Sequence, residues 1–150
     1  MALTRAQVEQ VLVRRTGKFL AALGLSTDSD GANDDLTDPI AIALVQTGYS
    51  VSSIVDPTAS EIAAVTSGDT LQFLDLAELR LLETLLSSNT LVDITVGPHS
   101  ERLGQLQTAL AALIKAKREA ISVAYATADT SWGAVELIAP NFAGSTEYTA

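Results

Sequence analysis

The sequence predicts an all-α fold: a small helical bundle of about four to five helices with an extended C-terminal arm. Three observations support this fold class. The chain has 150 residues, the length of one ordinary domain, and 47% of them are apolar whereas only 5% are aromatic. Ala and Leu, two strong helix formers, supply most of the apolar residues. Apolar positions recur at helical spacing in several segments, and Gly, Pro and polar turns separate those segments.

A first helix is predicted from about Arg5 to Leu23. Thr4 and Gln7 match the capping-box pattern at its start, and Gly24 stands where a helix ends. Its apolar residues fall near one face, which consists of Val8, Val11, Leu12, Phe19, Leu20 and Leu23.

Residues 26–38 are predicted to form a polar loop that carries five aspartates: Asp28, Asp30, Asp34, Asp35 and Asp38. The loop is superficially similar to a calcium-binding loop. Ala32 nevertheless occupies the third ligand position of an EF-hand, and Asn33 stands where the turn glycine belongs. An ordinary loop is the preferred interpretation, and a weak calcium site stays open.

The second predicted helix spans about residues 39–47. Thr37 or Asp38 is expected to cap it, and Gly48 ends it. Because the segment from Ile40 to Val45 is apolar throughout, this helix should be buried on most sides.

A third, short helix is predicted from residues 57–60 to about Val65, and Ser67 with Gly68 breaks it. A fourth helix follows from residues 69–70 to about Leu86, and it is apolar on more than one face. It is therefore either the central helix of the bundle, which is the preferred interpretation, or a helix with one side on another subunit.

After the fourth helix, residues 87–90 are predicted to form a turn and residues 91–96 a short extended connector. The last helix then starts near Pro98 or Ser100 and continues to about Ala124, over about 37 Å. Its predicted core stripe is Leu103, Leu106, Leu110, Leu113, Ile114 and Ile121.

The composition changes after Ala126, so we divide the chain into a helical bundle domain, residues 1–126, and an extended arm, residues 127–150. The arm holds the single Trp and is too short to fold alone. It docks on a partner, as aromatic anchors often do, packs on its own helices, or remains disordered. The candidate docking residues are Trp132, Val135, Leu137, Ile138, Phe142 and Tyr148.

The sequence contains no phosphate-binding glycine motif and no GxSxG nucleophile motif. With no Cys and with His99 as the only imidazole, a typical zinc site is excluded. Asp75, Glu78 and Glu83 share one predicted helix, where Arg80 favours a solvated, ion-paired face over an acid–base pair. We therefore predict a protein that is not an enzyme and that binds no cofactor.

The net charge of −9 argues against a protein that clamps the outside of DNA, because such binding needs an excess of cations. Its bases form two groups that are expected to be solvated helix faces, with contact to an acidic neighbour as the alternative: Arg14, Arg15 and Lys18, and Lys115, Lys117 and Arg118.

The longest apolar runs are far shorter than the roughly 20 residues of a membrane span, and no signal peptide or membrane association is expected. Mean hydropathy is nevertheless high, at +0.27. We therefore expect surplus apolar surface that other copies or partners cover.

Taken together, these segments resemble the head–tail connector proteins of tailed bacteriophages, the adaptor or neck class beneath the portal. The resemblance covers most of the chain in outline. It is carried by the opening helix at residues 3–8, the hydrophobic helix at residues 74–80, the start of the long helix at residues 96–102, and the C-terminal arm.

The resemblance implies a structural virion protein, made in the bacterial host cytoplasm and located in the neck. Such adaptors assemble into a homo-oligomeric ring, typically twelve-fold. Their arms dock on the portal protein, a downstream neck or tail protein binds below, and double-stranded DNA passes through the lumen without specific binding. The alternative function is that of a monomeric helical protein-interaction or regulatory domain unrelated to virions.

Overall fold

The computed structural model describes residues 2–90 and 99–125, with side chains for residues 2–88 and 104–125. Within those ranges the protein is an all-α bundle, as predicted, with no β-strand. The five α-helices are α1 (Arg5–Ala22), α2 (Thr37–Gln46), α3 (Ala59–Ala63), α4 (Thr70–Thr90) and α5 (His99–Tyr125), and a 3₁₀ turn (Asp34–Leu36) precedes α2.

The predicted limits of α1 are confirmed at both ends. The backbone N–H of Gln7 donates to Thr4 Oγ1 at 3.3 Å, and the N–H of Thr4 donates to Gln7 Oε1 at 3.0 Å, which completes a capping box. At the other end, Gly24 has a φ of +72°, a left-handed conformation that favours glycine.

The prediction that Thr37 or Asp38 caps α2 is wrong. The residue before this helix is Leu36, which makes no side-chain capping bond, because the 3₁₀ turn runs directly into α2. The Thr37 hydroxyl instead accepts a hydrogen bond from Arg5 Nη2 at 2.7 Å, which connects the start of α2 to the start of α1. Most apolar side chains of α2 are buried, as expected.

Helix α3 ends at Ala63, two residues before its predicted limit, and it begins with a second capping box. Thr58 is the capping residue, and its N–H donates to Glu61 Oε2 at 2.7 Å. The Glu61 carboxylate also accepts the N–H of Ser52, and these backbone donors lower the pKa of Glu61 to about 2.

Helix α4 is the central element, as the preferred interpretation predicted, because it packs against α1, α2 and α5. It also continues to Thr90, so the turn predicted at residues 87–90 is wrong. The hydroxyls of Ser87 and Ser88 donate to the Thr84 carbonyl, so these polar residues are satisfied inside the helix. The predicted connector at residues 91–96 lies outside the described residues.

The core lies where α1, α2 and α4 meet. Its large side chains that are almost entirely inaccessible include Leu12, Leu20, Leu36, Ile40, Leu44, Ile62, Phe73, Leu81, Leu82 and Leu85. Each such side chain stabilises the fold by about 1.5–3 kcal/mol through removal of apolar surface from water.

Helix α5 is the longest, at 27 residues and about 40 Å. Of its predicted core stripe, Leu110 and Ile114 are buried, whereas Leu106, Leu113 and Ile121 are half-buried. Leu103 lies outside the described side chains. Neither α5 nor any other helix in the described ranges is both long and apolar enough to cross a membrane.

Candidate functional site

The six residues predicted to dock on a partner lie outside the described residues: Trp132, Val135, Leu137, Ile138, Phe142 and Tyr148. The side chain of His99, the first residue of α5, also lies outside them. The described part of the molecule offers three other features: a cluster of charges between helices, a buried carboxylate beneath the acidic loop, and an exposed face of α5.

A charge seam joins α1, α4 and α5, and it consists of Arg15, Asp75, Glu78, Lys117 and Tyr125. Arg15 Nη1 donates to Asp75 Oδ1 at 2.9 Å and to Glu78 Oε2 at 2.8 Å. Lys117 Nζ lies 2.8 Å from Glu78 Oε2 and 3.7 Å from Asp75 Oδ1. The Tyr125 hydroxyl donates to Asp75 Oδ2 at 3.0 Å. The seam therefore connects three helices through two carboxylates of α4.

The charge seam differs from a surface ion pair because one of its carboxylates, that of Glu78, is buried. Glu78 is 5% exposed, and a buried carboxylate needs cationic partners because desolvation is costly. Burial alone lowers the pKa of Arg15, but its bonds to Glu78 and Asp75 outweigh burial and raise that pKa. Burial and the bond to Asp75 both raise the pKa of Tyr125, so its hydroxyl keeps its proton.

These contacts correct the predicted solvated faces at two positions. Glu78 is buried, and Lys117 is half-buried against it. Arg15 stays exposed, and both bases contact acids of their own chain, so the alternative of an acidic neighbour stays a prediction. Glu83 forms the ion pair with Arg80 that the sequence predicted, at 2.7 Å, and it also pairs with the exposed Arg118 at 2.6 Å. Since Asp75, Glu78 and Glu83 all have cationic partners, their arrangement is suited to joining helices.

A fully buried carboxylate, that of Glu9 on α1, connects the acidic loop to the bundle. It accepts hydrogen bonds from Arg5 Nε at 2.9 Å, from the Gly31 N–H at 2.7 Å and from the Asn33 N–H at 3.2 Å. Sequence reasoning missed this contact. Glu9 lies beside the apolar Val8, and its loop partners are more than twenty residues away, so helical periodicity gives no signal for it.

The acidic loop encloses an open, polar depression of about 350 Å³, lined by Ser26, Asp28, Asp30, Ala32, Asn33, Asp34 and Asp35. The Asn33 side-chain amide donates to the carbonyls of Ser26 and Asp28 at 3.2 and 2.8 Å, so protein acceptors satisfy this amide. Among the described residues, no three acidic or histidine side chains are grouped so that they could hold a metal ion.

The exposed flank of α5, here the outer face, is apolar and made of small side chains. It consists of Ala109, Ala112, Ala116, Ala120 and Val123, which recur at helical spacing. All five are exposed, and Val123 is 81% exposed. On the other flank, α5 and α4 border a groove of about 630 Å³ whose apolar lining includes Leu86 and Ile114.

Comparisons of this chain with protein-family models, with curated proteins and with solved structures give no match.

Proposed function

We propose that this protein is a structural virion protein, an adaptor of the phage neck whose copies form a ring between the portal and the tail or the next neck protein. One observation carries the proposal: α5 packs along α4 and leaves an apolar outer face exposed, in a chain that continues into an apolar arm. A surface of this kind is typical of proteins that assemble with others.

In this proposal the two domains have separate tasks. The helical bundle, residues 1–126, forms the ring, and the arm, residues 127–150, grips the portal through Trp132 and the apolar residues after it. Trp is among the residues that most often anchor protein interfaces. An extended arm can add contacts to a partner without any rearrangement of the bundle.

Charge supports the passage of DNA through the proposed ring. The net charge of −9 per copy is multiplied around a ring, and an acidic lumen repels phosphate, so DNA slides without binding. The described acids are exposed mainly on one segment: residues 26–56 contain six Asp and no Lys or Arg. We propose that this segment contributes to the acidic surface of the ring.

The test is to delete residues 131–150 and to measure binding to assembled portal. We expect the helical circular-dichroism signal to persist and portal binding to disappear. A matched control keeps the arm's length and composition but scrambles the order of residues 131–150, and it should also lose binding. Full-affinity portal binding by the truncated chain would contradict the arm assignment. A strictly monomeric protein that ignores portal rings but captures another protein would favour the interaction-domain alternative.

A further inference from the structure

We propose that Trp132, the first large apolar residue after α5, docks within its own chain on Leu71 at the start of α4. This contact goes beyond the proposed function, because it lies within one molecule and needs no portal. Trp132 lies outside the described residues, whereas Leu71 and the end of α5 lie inside them.

Leu71 belongs to the face of α4 that α5 covers. Leu71, Asp75 and Glu78 form one stripe, because residues three and four positions apart lie on the same side of a helix. The Tyr125 hydroxyl donates to Asp75 Oδ2 at 3.0 Å, and Lys117 Nζ donates to Glu78 Oε2 at 2.8 Å. The second half of α5 therefore runs along this stripe.

Leu71 is exposed because α5 ends before reaching it. The two helices are antiparallel, since Lys117 contacts Glu78 and the later Tyr125 contacts the earlier Asp75. At about 1.5 Å per residue, Leu71 lies roughly 6 Å further along α4 than Asp75, and α5 stops at Tyr125. Exposure along the stripe accordingly rises from 5% at Glu78 to 65% at Leu71. The α4–α5 interface thus continues into an apolar side chain that no described residue covers.

The chain that follows α5 starts beside this side chain, because the hydrogen bond from Tyr125 to Asp75 fixes the end of α5 there. Trp132 is the seventh residue after Tyr125, and seven extended residues reach roughly 23 Å. Leu71 is well within that distance. The residues between them, 126–131, are small or polar, so Trp132 is the first side chain in the sequence that can cover Leu71.

The surroundings of Leu71 are compatible with an aromatic ring. Asp69, the acid that precedes it in the sequence, already has partners, because the hydroxyls of Tyr49 and Thr66 donate to its Oδ2 at 2.6 and 2.8 Å. A ring on Leu71 therefore leaves the Asp69 carboxylate with its hydrogen bonds. It also removes apolar surface of both Leu71 and Trp132 from water, which stabilises the contact.

The contact is local, so it can open while the bundle stays folded, and it contributes little to the free energy of unfolding. Its effect is on the availability of the arm. In the proposed function, the portal and Leu71 compete for Trp132, and the apparent affinity for the portal falls with the fraction of chains whose arm is free.

The single Trp makes a test specific, because Trp fluorescence then reports on residue 132 alone. Leu71→Asp in the full chain puts a charge under the ring and leaves α4 intact, since an acid in the first turn of a helix is favourable. The matched control is Ile54→Asp, the same kind of change at a side chain that is 63% exposed between α2 and α3. Helical circular dichroism checks that each protein is folded.

We expect the wild type to emit at shorter wavelength than the urea-unfolded chain and to be quenched by acrylamide about twofold less, since an apolar contact shields one face of the ring. Leu71→Asp should abolish both differences with its helical signal unchanged, whereas Ile54→Asp should keep them. Equal quenching of the folded and unfolded wild type would overturn the proposal, because the ring would then have no contact. So would equal effects of the two variants.

The same measurement distinguishes two other positions of the ring. Val123→Asp tests the outer face of α5, where Val123 is 81% exposed. Loss of protection confined to this variant would assign Trp132 to that face and overturn the contact with Leu71. Dilution tests a second copy. We expect emission and quenching to stay constant from micromolar to nanomolar protein, and protection that disappears on dilution would overturn a contact within one chain.

Discussion

The inner helices and α5 are stabilised in different ways. Helices α1, α2 and α4 share a core of fully buried Leu, Ile and Phe side chains, whereas residues 104–125 of α5 contribute two buried apolar side chains, Leu110 and Ile114. The remaining contacts between α5 and the bundle come from half-buried apolar residues and from the charge seam. The comparison indicates that the inner helices are stabilised by a shared apolar core, whereas α5 is packed on one side and leaves its outer face exposed.

The largest effect is expected in the inner core. Phe73→Ala removes a fully buried ring from α4 and leaves a cavity, so the free energy of unfolding should fall by about 3–5 kcal/mol. The matched control is Leu71→Ala on the same helix, where the side chain is 65% exposed and the loss should stay below about 0.5 kcal/mol. Urea unfolding measures both. Equal losses would mean that α4 is not the centre of the core.

The next effect concerns the buried carboxylate of α1. Glu9→Gln should lower the free energy of unfolding by about 3 kcal/mol, because a buried ion pair loses its charge. The new amide also replaces one carboxylate oxygen with an N–H₂ group, which is a donor, so one backbone N–H of the loop loses its acceptor. Hydrogen exchange should rise at residues 26–33. Glu119→Gln, on an exposed residue of α5, should change neither quantity, and a similar loss there would argue against a specific role for Glu9.

A smaller and more local effect is expected at the charge seam. Glu78→Gln weakens the bonds to Arg15 and Lys117, so the free energy of unfolding should fall by about 1–3 kcal/mol. Hydrogen exchange followed by mass spectrometry should show α5 loosening before α1 and α2. Glu83→Gln is the control, since its ion pairs lie nearer the surface and contribute about 0–1 kcal/mol. An equal rise of hydrogen exchange in all helices would contradict the idea that the charge seam stabilises α5 more than it stabilises the inner helices.

The smallest effect depends on pH and concerns the start of α3. The folded-state pKa of Glu61 is about 2, below its ordinary value of 4.5, so its charge stabilises the fold above about pH 4.5. That contribution is lost as the pH falls from 4.5 through 2. Thermal melts should therefore show Glu61→Gln less stable than the wild type at pH 6, with the difference vanishing near pH 2. Ser60→Ala, an uncharged change in the same turn, should give a difference that does not vary with pH.

The helices could be predicted from the sequence because their signals are local. Thr4 and Gln7 are three residues apart, and Gly24 and Gly48 adopt the positive φ that their positions after α1 and α2 suggested. The predicted end of α4 was wrong for a related reason. Ser87 and Ser88 suggested a turn, but their hydroxyls bond within the helix, and the choice between these two uses of a serine depends on packing.

The contacts between helices could not be predicted, because their partners are distant in the sequence. Lys117 and Glu78 are 39 residues apart, and nothing in either helix pattern indicates that they meet. Glu9 is buried by contacts with Gly31 and Asn33, which lie 22 and 24 residues further along the chain. The predicted docking residues of the arm, beginning with Trp132, lie outside the described residues and stay a prediction.

The hydrogen bond of Tyr125 has a mechanical consequence for the end of α5. Terminal turns of helices fray easily, yet this last residue of α5 is fastened by its hydroxyl to Asp75 of the central helix. Because this hydrogen bond joins the last turn of α5 to α4, it opposes unwinding of that turn when the chain beyond residue 125 is pulled. A force applied to residues that follow Tyr125 would therefore act on the central helix as well as on α5.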